Sequence, residues 1–414
     1  MNPDWLAGEE HDQFTQWAIS QGVVVNGVTP ARFPGRGLGI AATRSIQKNE
    51  VIVRVPRQVM VTVETIPPSF ISRFPEGTPV HALLAAFLCH GEDLGQYELW
   101  RKTWPTRQDF EKFMPILWAE QLRDSSSPGL APLLPPSISG RWKSVRKEKL
   151  EIEYESSHQN ILAQQERRLH NAWDIVSAVF PEADWEMFSY HWLIVNTRSF
   201  FYVVPGQEPP EDRNDAMAML PFADYFNHSD EACNVNFDGR EYVFRAAKAF
   251  EAGEEIFMSY GPHPNDFLFT EYGFYLDANE SDALYLDDII FLDLNPSLQE
   301  ELNLQQYFGN YQITATGACY RTEIAACLEY MQLEDWQNYV LGYSTRGVDA
   351  TKSEDVIRGW IRTYLEEAGV ALIELRNLDS STISQEHQGK VQLLLKRWMQ
   401  IEHLCSIAIE AVSC

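Results

Sequence analysis

The stretch FADYFNHSDEACNVNFDG, residues 222–239, concentrates carboxylates and asparagines, with one histidine and one cysteine, among aromatic side chains. A metal site, a hydrolase site, or a strand with an asparagine-rich turn could each have this composition. The calcium loop D-x-[DN]-x-[DN]-G is absent, and zinc needs three or four His or Cys ligands. The G-x-S-x-G motif of serine hydrolases is absent as well. We therefore expect no metal, and the segment alone favours a strand and a turn.

Composition and charge restrict the class of protein. The chain has 414 residues and 45% hydrophobic content, enough for one large core or two to three ordinary ones. A net charge of −26 disfavours nucleic acid and anionic membranes as partners and favours basic proteins, although surplus acid also serves solubility. The chain begins with acidic residues where a secretory signal is basic, and no apolar run approaches the roughly 18 residues of a membrane span. The six cysteines show no C-x-x-C spacing. We expect a soluble, intracellular protein of the cytoplasm or nucleus.

The spacing of apolar residues divides the chain into alternating β and helical portions. Residues 22–63 are short β-branched runs broken by Gly, Pro and Asn, which predict strands and tight turns. Helical spacing follows over 80–180, and another helix is predicted from Asp184, with Asp184 or the preceding Glu182 as its N-terminal cap or dipole partner. Strand patterns return over 218–287, and helical spacing dominates from about Leu294. Neither β portion has enough strands for a covered sheet, so we expect the two to form one domain.

The segment GLGIAA, Gly37–Ala42, matches the wording of a dinucleotide-binding fingerprint. That motif requires a helix directly after it, so that the pyrophosphate meets the helix N-terminus. Here β-branched and turn residues follow, which argues against a dinucleotide site. Two interpretations remain open from the residues alone. The turn has no role, or its backbone comes close to a ligand because no side chain blocks the approach.

Five short motifs occur in a fixed order along the chain. They are GRGLG at 35–39, NTRSFFY at 196–202, LPFADYFNHS at 220–229, EIFMSYG at 255–261 and EYGF at 271–274. This ordered set resembles the SET-domain protein methyltransferases, specifically the branch of the Rubisco large-subunit lysine methyltransferase.

The resemblance implies an α+β fold in which short strands form small sheets, split by a helical insertion and followed by an all-helical C-terminal domain. It implies four parts, namely the N-terminal part of the SET domain at 1–66, the helical insertion at 67–183, the C-terminal part at 184–279 and a helical substrate-binding domain at 280–414.

The resemblance also implies a function, S-adenosylmethionine-dependent methylation of a lysine side chain in a protein. Residues implied to contact the cofactor are Arg36, Gly37, Leu38, Arg198, Asn227, His228 and Tyr260. Tyr260 is implied to be the catalytic residue. Residues implied to line the channel for the substrate lysine are Thr197, Phe200, Asp224, Tyr272 and Phe274.

Lysine methylation explains why conventional catalytic motifs are scarce in this sequence. A neutral amine attacks the methyl group of a sulfonium in an in-line displacement, so the enzyme must align three atoms and keep the amine unprotonated. A dry aromatic channel disfavours the ammonium and tolerates the cationic sulfonium. We expect the Tyr260 hydroxyl to orient the reacting groups rather than act as a phenolate base, since the ordinary phenol pKa is near 10.

Position 200 bears on the acceptor. A histidine-methylating relative carries asparagine two residues after the motif arginine, whereas this chain carries Phe200, which favours lysine. Methyl transfer to a small molecule, methyl transfer to protein histidine, and a catalytically silent scaffold stay open as alternatives.

Arg36 departs from the plant enzyme, which carries an acidic residue there. The expected partner is a basic protein, such as a ribosomal protein or a histone, and the expected state is a monomer.

Overall fold

Short strands and helices alternate along the computed structural model, which describes residues 7–118, 133–146, 152, 154–212, 215–378 and 385–412. Parts of the predicted helical insertion, at 119–132, 147–151 and 153, lie outside the described residues. Two units are distinguished by their internal contacts. The first comprises Met1–Arg107 with Glu166–Pro262, and the second comprises Gln108–Gln165 with His263–Cys414.

The strands are short, as the broken β-branched runs of the sequence predict. In chain order they are β1 (Val24–Val25), β2 (Val28–Phe33), β3 (Gly37–Ala42), β4 (Val51–Pro56), β5 (Ser199–Phe201), β6 (Met217–Met219), β7 (Asn234–Phe237), β8 (Glu241–Arg245), β9 (Glu255–Ile256), β10 (Leu284–Tyr285), β11 (Gln312–Thr314) and β12 (Gly317–Ala318).

Most helices lie where apolar residues recur at helical spacing, but Asn265–Tyr272 is a helix within 218–287, where the prediction of strands and turns is wrong. In chain order they are α1 (Glu9–Ser20), α2 (Pro68–Ile71), α3 (Val80–His90), α4 (Glu98–Arg101), α5 (Arg107–Phe113), α6 (Pro136–Ser139), α7 (Ile161–Val179), α8 (Trp185–Arg198), α9 (Asn265–Tyr272), α10 (Asp287–Asp293), α11 (Pro296–Leu304), α12 (Tyr320–Leu328), α13 (Leu333–Val340), α14 (Ala350–Asn377) and α15 (Gln385–Ala411).

Three antiparallel sheets form the β part of the first unit. Their strand orders are β1-β4-β8-β7, β2-β3-β9 and β5-β6. Strands that precede the helical insertion pair with strands that follow it, since β4 pairs with β8 and β3 pairs with β9. The two β portions of the sequence therefore share sheets, as their low strand numbers predict.

Helix α8 carries one of the motifs to the sheets. Its N-cap is Asp184, whose side chain accepts a 2.8 Å hydrogen bond from the Met187 N–H, as the sequence predicts. The helix packs along α3, where Trp192 Nε1 donates a 2.9 Å hydrogen bond to His81 Nδ1 in the buried interface. Helix α8 ends at Arg198 and β5 begins at the next residue. The helix therefore fixes the position of the Arg198 backbone beside the sheets.

The C-terminal region of the second unit is mainly helical, with α14 packed against α15. It also contains the small sheet β10-β11-β12, of which β10 lies in the predicted strand region 218–287, whereas β11 and β12 lie where only helices were predicted. Strands of two or three residues are too short to show a period of two. A buried ion pair joins Arg397 to Asp266 and Asp282, at 2.7 and 2.8 Å. Among the described residues, no helix is both long and apolar enough to cross a membrane.

Candidate functional site

The turn between β2 and β3 is built from glycines. Gly35 and Gly37 each have a φ of +76°, a left-handed conformation that glycine adopts without steric cost, and Arg36 N–H donates a 3.1 Å hydrogen bond to the Phe33 carbonyl. Beyond the adjacent residues in the chain, a Cβ atom at Gly35 or Gly37 would meet no atom of the described residues within 4 Å. The turn is therefore open on the side of both glycines. Gly37–Ala42 forms strand β3 rather than the start of a helix, so the dinucleotide interpretation is wrong.

Gly39 lies where three chain segments meet. A Cβ atom there would lie 2.6 Å from Glu255 Oε1 and 2.7 Å from Asn227 Nδ2, closer than real contacts permit. The Asn227 amide donates hydrogen bonds of 3.0 Å to the Leu38 carbonyl and 2.8 Å to Glu255 Oε1. The missing side chain at Gly39 thus lets strand β3 approach the Asn-His-Ser segment and strand β9 closely.

The Asn-His-Ser segment runs parallel to the Met-Ser-Tyr segment for a short distance. His228 and Met258 form an isolated parallel bridge. Met258 N–H donates a 2.9 Å hydrogen bond to the Asn227 carbonyl, and Ser229 N–H donates one of 3.1 Å to the Met258 carbonyl. This pairing brings Tyr260 beside His228, although about thirty residues separate the two motifs in the sequence.

Tyr260 makes three contacts with the Asn-His-Ser region. Its hydroxyl donates a 2.7 Å hydrogen bond to the Phe226 carbonyl, and its ring stacks on His228 with centroids 5.2 Å apart. Its backbone N–H donates a 3.1 Å hydrogen bond to His228 Nδ1. Nδ1 is therefore the acceptor nitrogen, so a neutral His228 carries its proton on Nε2.

Burial sets the protonation states of this pair. It raises the pKa of Tyr260 to about 12, with Asp224 and Glu255 adding to the rise and the Arg198 charge opposing it. Burial likewise lowers the pKa of His228 below 6.5, against the opposing effects of Asp230 and a backbone hydrogen bond. Near neutral pH both side chains are therefore uncharged.

A second cluster centres on Asp224, whose side chain is 1% exposed. Its Oδ2 atom accepts hydrogen bonds of 2.9 Å from both Arg198 Nε and Trp100 Nε1. A terminal nitrogen of Arg198 donates a further 2.9 Å bond to the Asp224 carbonyl. Oδ1 of Asp224 is buried and has no hydrogen-bond partner among the residues that the structure describes. The arginine is thus held at the turn that precedes Asn227.

The two other channel candidates of the first unit lie near the end of α8. Thr197 is half-buried, and its hydroxyl donates a 2.8 Å hydrogen bond to the Leu193 carbonyl one helical turn earlier. Phe200, 8% exposed, packs edge-on against Tyr242 and Phe244, with centroids 6.0 and 5.9 Å away. The Phe244 ring also stacks on Phe226 at 5.0 Å. Phe200 therefore belongs to an aromatic cluster that includes Phe226, whose carbonyl accepts the hydrogen bond from the Tyr260 hydroxyl.

Tyr272 and Phe274 belong to the second unit. Tyr272 ends α9, and Gly273 follows with a φ of +78°, the left-handed conformation of a helix C-cap. The rings of Tyr272 and Phe274 lie 6.2 Å apart at an interplanar angle of 46°. Across the described parts of both units, no group of three or more His, Cys, Asp or Glu side chains lies close enough together to hold a metal ion.

Three contributors to the site were missed by sequence reasoning. Glu255, with a side chain 4% exposed, and Phe226, through its carbonyl, are both inside quoted motifs. The signal for Glu255 was its place beside apolar Ile256 in a strand where an acid is uncommon. Trp100 lies 124 residues from Asp224 in the sequence, and no local pattern links the two.

Most of the residues described above lie in a segment that matches a known protein family. Residues 37–261, more than half of the chain, match the family model of the SET domain, and the chain belongs to the SET domain family. The family and the α+β fold class predicted from the motifs are thereby confirmed.

Individual relatives and one solved structure agree with this assignment. SET domain-containing protein 4 of Homo sapiens is 24% identical over 392 residues, which cover 89% of this chain and 84% of that protein. The ribosomal lysine N-methyltransferase set11 of Schizosaccharomyces pombe is 31% identical over 202 residues, which cover 46% of this chain and 51% of that protein. The crystal structure of the SET domain of LSMT bound to methyllysine and AdoHcy superposes with a TM-score of 0.58 at 16% identity, covering 98% of this chain and 93% of that one. The last similarity shows a common fold.

Proposed function

We propose that this chain is an S-adenosylmethionine-dependent protein-lysine N-methyltransferase. The observation that carries the proposal is the neutral Tyr260 phenol, held by the Phe226 carbonyl and the His228 ring in a chain of the SET domain family. Methyl transfer to an amine needs alignment and a polar oxygen near the reacting carbon, without a metal or a covalent nucleophile. The ribosomal lysine methyltransferase among the relatives supports the same reaction class.

The hydrogen-bonding groups of the site fit S-adenosylmethionine. When bound, this cofactor supplies an electrophilic methyl group on its sulfonium. The molecule also carries a carboxylate, an ammonium and an adenine ring. Arg198 has five N–H donors, of which contacts within the described residues use two. The remaining donors suit a carboxylate through charge-assisted hydrogen bonds. The open glycine turn offers main-chain groups that no side chain blocks.

Each predicted cofactor residue has a distinct proposed role. Gly37 and the Arg36 main chain contribute backbone groups, while Leu38 anchors the Asn227 amide through its carbonyl. Asn227 and His228 form the surface against which the cofactor lies. Arg198 holds the carboxylate of the cofactor.

For the channel we propose that Tyr260 orients the substrate amine and stabilises charge as the methyl group moves. Asp224 holds the Arg198 guanidinium and lines the lysine side together with Thr197. Phe200, Tyr272 and Phe274 supply the aromatic walls, which exclude water and favour the neutral amine. Replacing Phe200 by asparagine polarises this wall, so lysine methylation should fall in Phe200→Asn. Unchanged lysine methylation would show that Phe200 does not line the channel.

The proposed acceptor is a lysine of a basic protein, because a chain with a net charge of −26 attracts positively charged partners. Ribosomal proteins and histones have this character. We further propose that residues 280–414 bind the substrate, that the enzyme is a monomer, and that it acts in the cytoplasm or nucleus.

Transfer of labelled methyl groups tests the proposal. Purified protein is incubated with methyl-labelled S-adenosylmethionine and a cell extract, beside Tyr260→Phe, and the label is located by mass spectrometry. Label on a protein with the wild type, and loss of it with Tyr260→Phe, is the expected result. Label on a metabolite would contradict the proposal that the acceptor is a protein. Binding of the cofactor without any methyl transfer would indicate a catalytically silent scaffold.

A further inference from the structure

The side chain of Arg36 leaves the glycine turn and reaches strand β9. Its Nε atom lies 3.1 Å from Glu255 Oε2, and its guanidinium lies over the Phe257 ring, 5.2 Å from the centroid. The arginine side chain is 57% exposed, whereas the Glu255 side chain is 4% exposed. An exposed cation therefore covers a buried carboxylate and an aromatic face at once.

Glu255 connects the segments that surround Gly39. Its Oε1 atom accepts the hydrogen bond from Asn227, and the same atom would lie 2.6 Å from a Cβ at Gly39. Oε2 accepts no hydrogen bond within the described residues, and the guanidinium of Arg36 is its ion-pair partner. A buried carboxylate is costly unless it is paired. The Arg36 contact meets this need and ties the turn to the Asn227 segment.

The turn is closed by the Arg36 N–H bond to the Phe33 carbonyl and by the pairing of Phe33 with Gly37, but its glycines add no side-chain packing. Both flanking glycines have left-handed φ values, and a Cβ at either would meet no atom within 4 Å in the part of the chain that the structure describes, adjacent residues aside. Such a turn keeps wide conformational freedom unless a contact restricts it. Ordering the turn before a ligand arrives lowers the entropic cost of binding.

We infer that Arg36 and Glu255 form a latch that fixes the glycine turn against strand β9 and so preorganises the binding surface for S-adenosylmethionine. Both are positioning residues. The inference rests on the proposed function, and it assigns a role to the arginine side chain beyond the backbone contact expected at this position.

Calorimetric titration with S-adenosylhomocysteine tests the latch. Arg36→Gln should weaken binding about fivefold at low salt, and the ratio to wild type should approach one at high salt, because the ion pair is screened. Arg36→Lys, which keeps the charge, should recover part of the loss. Arg54→Gln is the matched control, because Arg54 forms an ion pair with Glu241 at 3.6 Å in the four-stranded sheet β1-β4-β8-β7. This variant should leave the affinity for S-adenosylhomocysteine unchanged.

A double-mutant cycle separates the latch from general damage. Glu255→Gln keeps an amide oxygen for Asn227 but lacks the charge for Arg36, so the double variant Arg36→Gln/Glu255→Gln should bind no more weakly than Glu255→Gln alone. Additive losses, unchanged binding in Arg36→Gln, or tighter binding in Arg36→Gln would each overturn the inference.

Hydrogen exchange of the ligand-free protein keeps the two proposals distinguishable. Amides of residues 33–39 should exchange faster in Arg36→Gln than in wild type or Arg54→Gln, and equal exchange would contradict the latch. If wild type binds no S-adenosylhomocysteine, the proposed function fails, while the exchange experiment still decides whether the latch orders the turn.

Discussion

The hydroxyl of Tyr260 donates a 2.7 Å hydrogen bond to the carbonyl oxygen of Phe226, 34 residues earlier in the chain. The phenol proton is therefore committed to the backbone, and the oxygen keeps its lone pairs for a neighbouring group. Together with a pKa raised to about 12, this arrangement defines a neutral phenol rather than a base. Such a group orients a reacting amine and stabilises charge that develops near it.

Removing this hydroxyl should affect turnover far more than cofactor binding. We expect Tyr260→Phe to lower kcat by roughly a hundredfold or more, as loss of one preorganised polar group does, with S-adenosylhomocysteine affinity changed by less than about threefold. Tyr242→Phe is a matched control, because Tyr242 also donates its hydroxyl to a backbone carbonyl, that of Phe201. Equal losses of kcat in both variants would mean that the Tyr260 hydroxyl acts through the fold alone.

The ionisation of Tyr260 should lie well above that of an ordinary tyrosine. Burial disfavours the phenolate, so the neutral form persists until the pH approaches about 12. The rate of methyl transfer should then show no decline from phenolate formation up to about pH 11. Ultraviolet difference spectra of wild type against Tyr260→Phe give the midpoint directly. A tyrosinate signal from this residue with a midpoint at or below 10 would contradict the neutral-phenol account.

His228 should resist protonation and should destabilise the fold in acid. Its pKa is lowered below 6.5 by burial, so the unfolded chain takes up the proton first as the pH falls. Stability is therefore retained above about pH 6.5 and declines below it until the folded ring also titrates. Protonation of Nδ1 then breaks its bond with the Tyr260 N–H. Imidazole resonances followed by NMR should give a midpoint below 6.5, and a midpoint above that value would refute the assignment.

Asp224 should be critical for stability because it holds a mostly buried cation. In Asp224→Asn the Arg198 guanidinium, 14% exposed, loses its counter-charge, and breaking such a pair costs about 3 kcal/mol of unfolding free energy. Urea unfolding measures this loss. Asp238→Asn is the control, since Asp238 is exposed and accepts bonds from nearby backbone N–H groups. Unchanged stability in Asp224→Asn would show that the ion pair does not hold the turn.

Two glycines of one motif should respond differently to alanine. In Gly39→Ala the new Cβ must displace Glu255 or Asn227, so affinity for S-adenosylhomocysteine should fall at least about tenfold. In Gly37→Ala the Cβ comes within 4 Å of no non-adjacent described residue, and the change costs only the strain of a positive φ, about 1 kcal/mol. Calorimetry on both variants tests the order. A larger loss in Gly37→Ala than in Gly39→Ala would be the contrary result.

The sequence predicted the fold where short motifs carry local constraints. The glycines of the β2-β3 turn, the Asp184 cap and the helical periodicity all act within a few residues, so a single sequence reveals them. The parallel bridge between His228 and Met258 joins distant segments and was not predicted, although the resemblance to a family implied that His228 and Tyr260 contact the same cofactor.

Other features of the site depend on tertiary contacts that no periodicity records. Arg198 was expected to contact the cofactor, and its partner in the structure is Asp224, which the sequence did not indicate. Trp100, from a separate helix, donates a hydrogen bond to the carboxylate of Asp224. Glu255 is an uncommon acid in a strand, but only the structure shows that its side chain is buried, where Gly39 leaves room for it.

Identification of the methylated amino acid tests the central claim most directly. Protein acceptors labelled from methyl-labelled S-adenosylmethionine are hydrolysed to amino acids, and the labelled product is separated by chromatography beside authentic methyllysines and methylhistidines. The account predicts label in ε-N-methyllysine with the wild type and its near absence with Tyr260→Phe. Label in methylhistidine, or equal labelling by the two proteins, would contradict it.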